Sequence, residues 1–296
     1  MNPKDLRKAL HRIRVTSGEK FRLRDHDPGY TAGITLSREE EAALLAADVA
    51  RLSDLQELLY AQQSWSLLCV FQAMDAAGKD GTIKHVMSGV NPQGVQVSAF
   101  KAPGPEELAH GFLWRIARKL PERGRIGIFN RSHYEEVLVV RVHDEILARQ
   151  HVPGPLITKH IWRDRLHDIA AFERYLARQG TIILKFFLNV SKEEQKRRFL
   201  ARLDHPTKNW KFSAGDLNER QHWDEYMDAY EDAIAATAAD HAPWYVVPAD
   251  HKWFTHLMVV SAMMEALEKL KLSTPKVTPT EKALLAEGRQ KLEAEK

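Results

Sequence analysis

A chain of 296 residues has room for one large α/β domain or two small ones, and its 44% hydrophobic and 28% charged residues are ordinary for a soluble globular protein. A net charge of +3 is too slight to imply nucleic acid as a partner, and a single cysteine, Cys69, excludes a disulfide framework within the chain. No apolar run approaches membrane-spanning length and the N-terminus lacks a signal-type apolar stretch, so a cytoplasmic protein with no membrane partner is expected.

Residues 1–36 read as a basic, turn-rich arm, with Asp25-His26-Asp27-Pro28-Gly29-Tyr30 as a turn cluster, expected to lie over the main domain. From Ser37 to Gln63 the apolar positions Leu44, Leu45, Val49, Leu52, Leu55, Leu58 and Leu59 repeat at helical spacing. Strand-like runs follow at Ser66–Phe71, Val95–Phe100, Arg125–Phe129, Thr181–Leu188 and Trp244–Val247. Helical patterns separate them at Thr82–Ser88, Pro105–Leu120, Leu156–Arg178, Ser191–Leu203, Leu217–Ala239 and Trp253–Leu272. This alternation predicts an α/β fold with a parallel sheet covered on both faces, spanning 37–272, followed by a polar tail over 273–296 that ends in a short helix.

The first strand runs into Phe71-Gln72-Ala73-Met74-Asp75-Ala76-Ala77-Gly78-Lys79-Asp80-Gly81-Thr82-Ile83, a phosphate-binding loop with two substitutions. Backbone N–H groups of Ala76, Ala77, Gly78, Asp80 and Gly81 would face an anion, and Lys79 would reach its outer oxygens. Ala73 replaces the usual first glycine and Asp80 the usual Ser/Thr after the lysine. Asp75 is the more telling residue. A carboxylate inside an anion cradle repels phosphate unless a divalent cation lies between them, which points to Mg²⁺ and to phosphoryl transfer.

The third predicted strand ends in Asn130-Arg131-Ser132-His133-Tyr134-Glu135-Glu136, where P-loop enzymes place the carboxylate that orders Mg²⁺. Asn130 stands at that position without a charge, leaving the metal's charge balance to Asp75, with Glu135 or Glu136 as further candidates. Arg131 would stabilise charge on the group in flight. For His133, packing and phosphate contact are both open.

Ser191-Lys192-Glu193-Glu194 predicts a capped helix with Arg198 and Arg202 one turn apart. It leads into Asp204-His205-Pro206-Thr207-Lys208-Asn209-Trp210-Lys211-Phe212. Alone, such a basic run is a solvated face; placed after a phosphate loop it reads as a lid over about 204–222, carrying Lys208, Trp210 and Lys211. Lys84, Lys101 and Arg115 each read singly as a surface charge; together they would make the trail of charges that a donor with many phosphates needs and ATP does not.

These motifs resemble the polyphosphate kinase 2 family across about Phe21–Leu270, on Met74 to Gly81, Phe129 to Glu135, Trp210-Lys211-Phe212 and Gly215-Asp216-Leu217. The resemblance implies a P-loop kinase-like three-layer αβα sandwich with a helical lid. It also implies Mg²⁺-dependent transfer between inorganic polyphosphate and nucleotides, with Mn²⁺ as a substitute. Asp75 then resembles the loop metal carboxylate, Lys79 the phosphate-reaching lysine, Asn130 and Arg131 the Walker B pair, and Arg198 and Arg202 the lid arginines. Many relatives carry Asp where Asn130 stands and Asn where Glu135 stands. The version here is similar to the class III branch, which phosphorylates both AMP and ADP, and makes Glu135 a candidate for nucleotide selection.

The expected partners are polyphosphate and adenine nucleotides, with guanine nucleotides as a further option, in a homo-oligomer that binds no nucleic acid. Two alternatives stand beside this reading: an ATP-dependent nucleoside monophosphate or small-molecule kinase, and a non-catalytic polyanion-binding regulator.

Overall fold

The structure, a computed structural model, describes residues 3–295, with the side chains of all but Pro3, Lys4, Lys208, Lys211 and Ala214. Six strands form one sheet: β1 (Arg14–Val15), β2 (Ser66–Gln72), β3 (Val95–Ala99), β4 (Ile126–Asn130), β5 (Thr181–Asn189) and β6 (Trp244–Pro248), in the order β1-β6-β5-β2-β4-β3. All neighbours are parallel except β1 and β6. β2 is buried along its whole length because helices cover both faces, which is why Leu67-Leu68-Cys69-Val70-Phe71 reads as an unbroken apolar run. Cys69 is a core thiol whose pKa burial pushes up, so it is inert.

One helical layer brings together Arg38–Gln62, Lys79–Val86 and Lys252–Lys269; the other pairs Ile161–Arg178 with Trp223–Thr237. The long Arg38–Gln62 helix begins at a full capping box, Ser37 with Glu40. β2 has β4 on one side and β5 on the other, so the strand order reverses at its carboxyl end. Ligands of open α/β sheets bind at that crevice, and the phosphate loop starts there.

Three expectations need correction. The N-terminal arm opens with a helix, Pro3–Ile13, and contributes the antiparallel edge strand β1; Leu10, Ile13, Phe21 and Leu23 are buried in the common core. A two-residue strand has no alternation to read, and its pairing with β6 is set more than two hundred residues away. The helix expected over Pro105–Leu120 is two short pieces, Pro105–Leu108 and Trp114–Ala117, separated by a segment containing Gly111. The one expected over Leu217–Ala239 is likewise divided, into Ala214–Glu219, a 3₁₀ turn Arg220–His222, and Trp223–Thr237. The tail carries an exposed helix, Pro279–Glu293, capped by Thr278. Among the described residues no helix is long and apolar enough to cross a membrane.

Lys185 of β5 is fully buried and donates to Glu173 at 2.5 Å, to the Thr237 carbonyl at 2.7 Å and to the Tyr134 hydroxyl at 3.1 Å. Breaking one partner of such a pair costs about 3–5 kcal/mol, since a charge is left alone in the core. This network anchors the chain just after β4 and so steadies the residues that leave it.

Asp48, half-buried on the Arg38–Gln62 helix, has an Oδ2 without a hydrogen-bond partner, and burial pushes its pKa from 3.8 up to about 6. The folded protein therefore holds this proton more tightly than the unfolded chain, and stability falls as pH rises through that window. Asp48→Asn is expected to stabilise by about 1 kcal/mol at pH 7.5, after discounting for solvent screening, and to give no gain at pH 4. Thermal unfolding at the two pH values checks this; an equal rise in Tm at both would contradict it.

Candidate active site

β2 continues into a loop that turns sharply before the Lys79–Val86 helix. Ala76 (φ 61°) and Gly78 (φ 109°) adopt left-handed backbone, and the Ala77 N–H closes the turn on the Met74 carbonyl at 3.2 Å. At Gly78 any side chain would be strained; at Ala76 the turn has to hold the residue in place. Lys79 arches back over the loop, its Nζ donating to the Ala73 carbonyl at 2.6 Å. Burial pushes its pKa down, against the pull of Asp75, Glu135 and Asp80.

Arg131 leaves β4 at φ 62°, held by its N–H to the Phe71 carbonyl at 3.1 Å. Its guanidinium lies 3.3 Å from Asp75 and 3.9 Å from Glu135. Burial opposes its charge, but the two carboxylates outweigh that and raise its pKa. Asn130 donates from Nδ2 to Asp80 Oδ1 at 2.7 Å. Two of the three positions that depart from the usual phosphate-loop and strand-end residues are thus hydrogen-bonded to each other.

These groups line a cleft of about 850 Å³. It brings together Asp75 to Gly81, Lys101, Asn130, Arg131, Arg198, Arg202 and Trp210. Arg202 pairs with Asp216 at 3.4 Å and covers the Phe199 ring, and Trp210 is 78% exposed at the rim. The Lys208 and Lys211 side chains lie outside the described residues.

Other expected residues fall elsewhere. Lys84 is exposed and does not line the cleft. Arg115 is buried and bonds the Lys101 carbonyl at 2.8 Å and Glu107 at 3.4 Å, on the wall of a second cavity of about 520 Å³. Glu136 belongs to that same wall, accepting from Gln150 at 2.6 Å and pairing with Arg165 at 3.4 Å, so it cannot serve a metal at Asp75. Glu135 does not line the cleft; it backs Arg131, with burial raising its pKa against Arg131 and Lys79. His133 is buried, 3.4 Å from Glu173, which resolves its role as packing.

Arg198 lines the cleft, yet its N–H groups all have protein acceptors. Nε donates to Glu194 at 2.7 Å, Nη1 to the Ala76 and Ala77 carbonyls at 3.2 and 2.6 Å, and Nη2 to the Ala249 and Asp250 carbonyls at 2.5 and 3.3 Å. In this structure its hydrogen bonds go to Glu194, to the phosphate loop and to the segment after β6.

Sequence reading gave no role to one wall of the cleft: His85, Lys252, Thr255 and His256. His85 and His256 stack at 4.7 Å, and burial, with His85 adding to it, brings His256 down to about 4, so it is neutral near pH 7. These residues sit on two helices brought together only by folding, and no local motif marks them.

The donor set fits Mg²⁺. Asp75, Asp80 and Asp216 face one cleft, and burial and the nearby Asp75 raise the pKa of Asp216. Among the described residues no three acidic or imidazole groups converge tightly enough to form a cage. An ion here would complete its shell with water and phosphate oxygens, the usual arrangement for Mg²⁺ in phosphoryl-transfer sites.

Residues 35–275 match the family described as Polyphosphate kinase 2 (PPK2). The chain is 53% identical over 285 residues to an ADP-polyphosphate phosphotransferase of Rhodopseudomonas palustris, covering 95% of this chain and 97% of that protein. It is 44% identical over 277 residues to an AMP/ADP-polyphosphate phosphotransferase of Meiothermus ruber, covering 93% and 100%. Among solved structures, Polyphosphate Kinase 2 from Arthrobacter aurescens TC1 superposes with a TM-score of 0.84 at 44% identity, covering 94% and 96%.

Proposed function

The chain belongs to the polyphosphate kinase 2 family, and on that footing we propose that it transfers the terminal phosphoryl group of inorganic polyphosphate to ADP and AMP, forming ATP and ADP. The observation that carries this reading is the convergence of Lys79, Arg131 and Asp75 on one phosphate loop, in a cleft of about 850 Å³ that has room for donor and acceptor together.

The acceptor is already an anionic phosphate oxygen at neutral pH, so no general base is required. In-line transfer passes through a loose transition state, and catalysis is then mostly alignment and charge neutralisation. Loop N–H groups hold the donor oxygens. Lys79 exchanges the Ala73 carbonyl for an oxygen of the phosphoryl group that moves. Arg131 stays oriented by Asp75 and Glu135 and offers its remaining N–H groups to the equatorial oxygens. Mg²⁺ would be held by Asp75, with Asp80 beside it, and would supply charge neutralisation between donor and acceptor phosphates. Trp210 on the lid segment would exclude water as it closes, with Arg202 of the preceding helix paired to the lid's Asp216. The proposal extends to guanine nucleotides and to a homo-oligomer, which GDP as acceptor and sedimentation of the purified chain test.

Incubating the protein with ADP, polyphosphate and Mg²⁺ in the absence of ATP tests the main reading. ATP should accumulate, and AMP should yield ADP. No product from either acceptor, or ATP formed from ADP equally well without polyphosphate, would refute it. A nucleoside monophosphate kinase can disproportionate ADP with no need of polyphosphate, and a polyanion-binding regulator would leave the nucleotides unchanged.

A further inference from the structure

The Lys192–Asp204 helix begins at Ser191, whose hydroxyl accepts from the Glu194 N–H at 3.1 Å, and it lays Gln195 and Arg198 against the phosphate loop. Both side chains are buried, at 1% and 9% exposure. Gln195 Nε2 donates to the Asp75 carbonyl at 2.9 Å, and Arg198 Nη1 takes the next two carbonyls, those of Ala76 and Ala77. Three consecutive loop carbonyls are therefore drawn to one helix face. In a trans peptide the N–H lies opposite its carbonyl, so this grip turns the N–H groups of Ala76 and Gly78 toward the cleft that those residues line. Left loose, the same carbonyls could rotate toward a phosphate and repel it.

The grip has a further connection. Arg220, in the 3₁₀ turn that ends the lid segment, donates from Nη1 to Gln195 Oε1 at 2.6 Å and to the Lys192 carbonyl at 2.8 Å. One amide thus joins the lid's end to the backbone of Asp75.

We propose that Gln195 and Arg198 are positioning residues that fix the peptide orientations of the phosphate loop, and that Arg220 links this grip to the lid through Gln195. The proposal rests on the phosphoryl-transfer reading of the cleft. Neither side chain touches a reacting atom; each acts through the loop. Lysine cannot replace Arg198, because one ammonium cannot reach acceptors spread across a planar fork.

The test is a double-mutant cycle on Gln195→Met and Arg220→Met, with kcat, the KM of each substrate, Tm, and the affinity for tripolyphosphate measured by calorimetry without nucleotide. Misplacement of about 1 Å can cost on the order of 10²-fold, so Gln195→Met is expected to lower kcat roughly 10–100-fold. Tripolyphosphate binding should weaken several-fold, while Tm stays within a few degrees. Arg220→Met should lower kcat less, and the double variant should be no slower than Gln195→Met, since removing Gln195 already cuts the link. Should Gln195→Met fail to fold, Gln195→Glu serves instead: it keeps an acceptor for Arg220, loses the donor to Asp75, and should show the same fall in kcat. Wild-type kcat in the glutamine variant, or additive losses in the cycle, would overturn the proposal. An inactive wild-type protein would instead defeat the phosphoryl-transfer reading, and tripolyphosphate affinity would then decide the positioning role alone.

Discussion

Lys79→Met is expected to reduce turnover by about 10³-fold or more while leaving the fold intact, because the methionine keeps the length of the side chain and removes its charge. The wild-type ammonium lies across the loop on the Ala73 carbonyl, in the cleft that the loop lines. The arginines nearest the loop are engaged elsewhere: Arg131 is committed in part to Asp75 and Glu135, and Arg198 to backbone carbonyls. Arginine should not rescue, since its wider fork does not fit where a single amine spans the loop.

The same lysine sets a pH dependence. Burial lowers its pKa, although Asp75 works against this. In the free enzyme its charge is therefore lost at lower pH than for an ordinary lysine, and kcat/KM for polyphosphate should fall on the alkaline side accordingly. Bound phosphate restores the proton, so the corresponding fall in kcat should lie at higher pH. Parallel alkaline limbs in both profiles would contradict this role.

Asp75→Asn carries the second large effect. Asparagine keeps the shape and loses the charge, so a Mg²⁺ held there with phosphate would lose one of its protein anions, and Arg131 loses its partner at 3.3 Å. A fall in kcat of about 10²–10³-fold is expected, together with a higher Mg²⁺ concentration for half-maximal rate. Stability should change by no more than about 1 kcal/mol, because the Asp75–Arg131 pair is partly exposed and such pairs contribute little. An active Asp75→Asn enzyme with unchanged Mg²⁺ demand would remove the metal assignment.

Local features were legible in the sequence, and features made by folding were not. The five parallel strands and the loop after Ser66–Gln72 are written in short apolar runs and turn residues. Asn130 and Asp80 each read as a departure from the usual motif; only the fold shows that they compensate by bonding one another at 2.7 Å. Arg198 was found by its helical spacing from Arg202, but its role depends on where backbone carbonyls point, which no side-chain pattern encodes. Gln195 gives no sequence signal at all, being a lone amide on a charged helix. Arg115 and Glu136 misled because a charged residue near a motif reads as exposed, whereas these two neutralise one another within a buried wall.

A crystal structure of the protein with Mg²⁺, ADP and tripolyphosphate addresses the central claim most directly. The phosphate at the junction of the two substrates should lie within hydrogen-bond reach of Lys79 Nζ and the Arg131 guanidinium. An Asp75 oxygen should ligate the metal at about 2.1 Å. Phosphates seated elsewhere, with Lys79 still on the Ala73 carbonyl and Asp75 bound only to Arg131, would contradict the account.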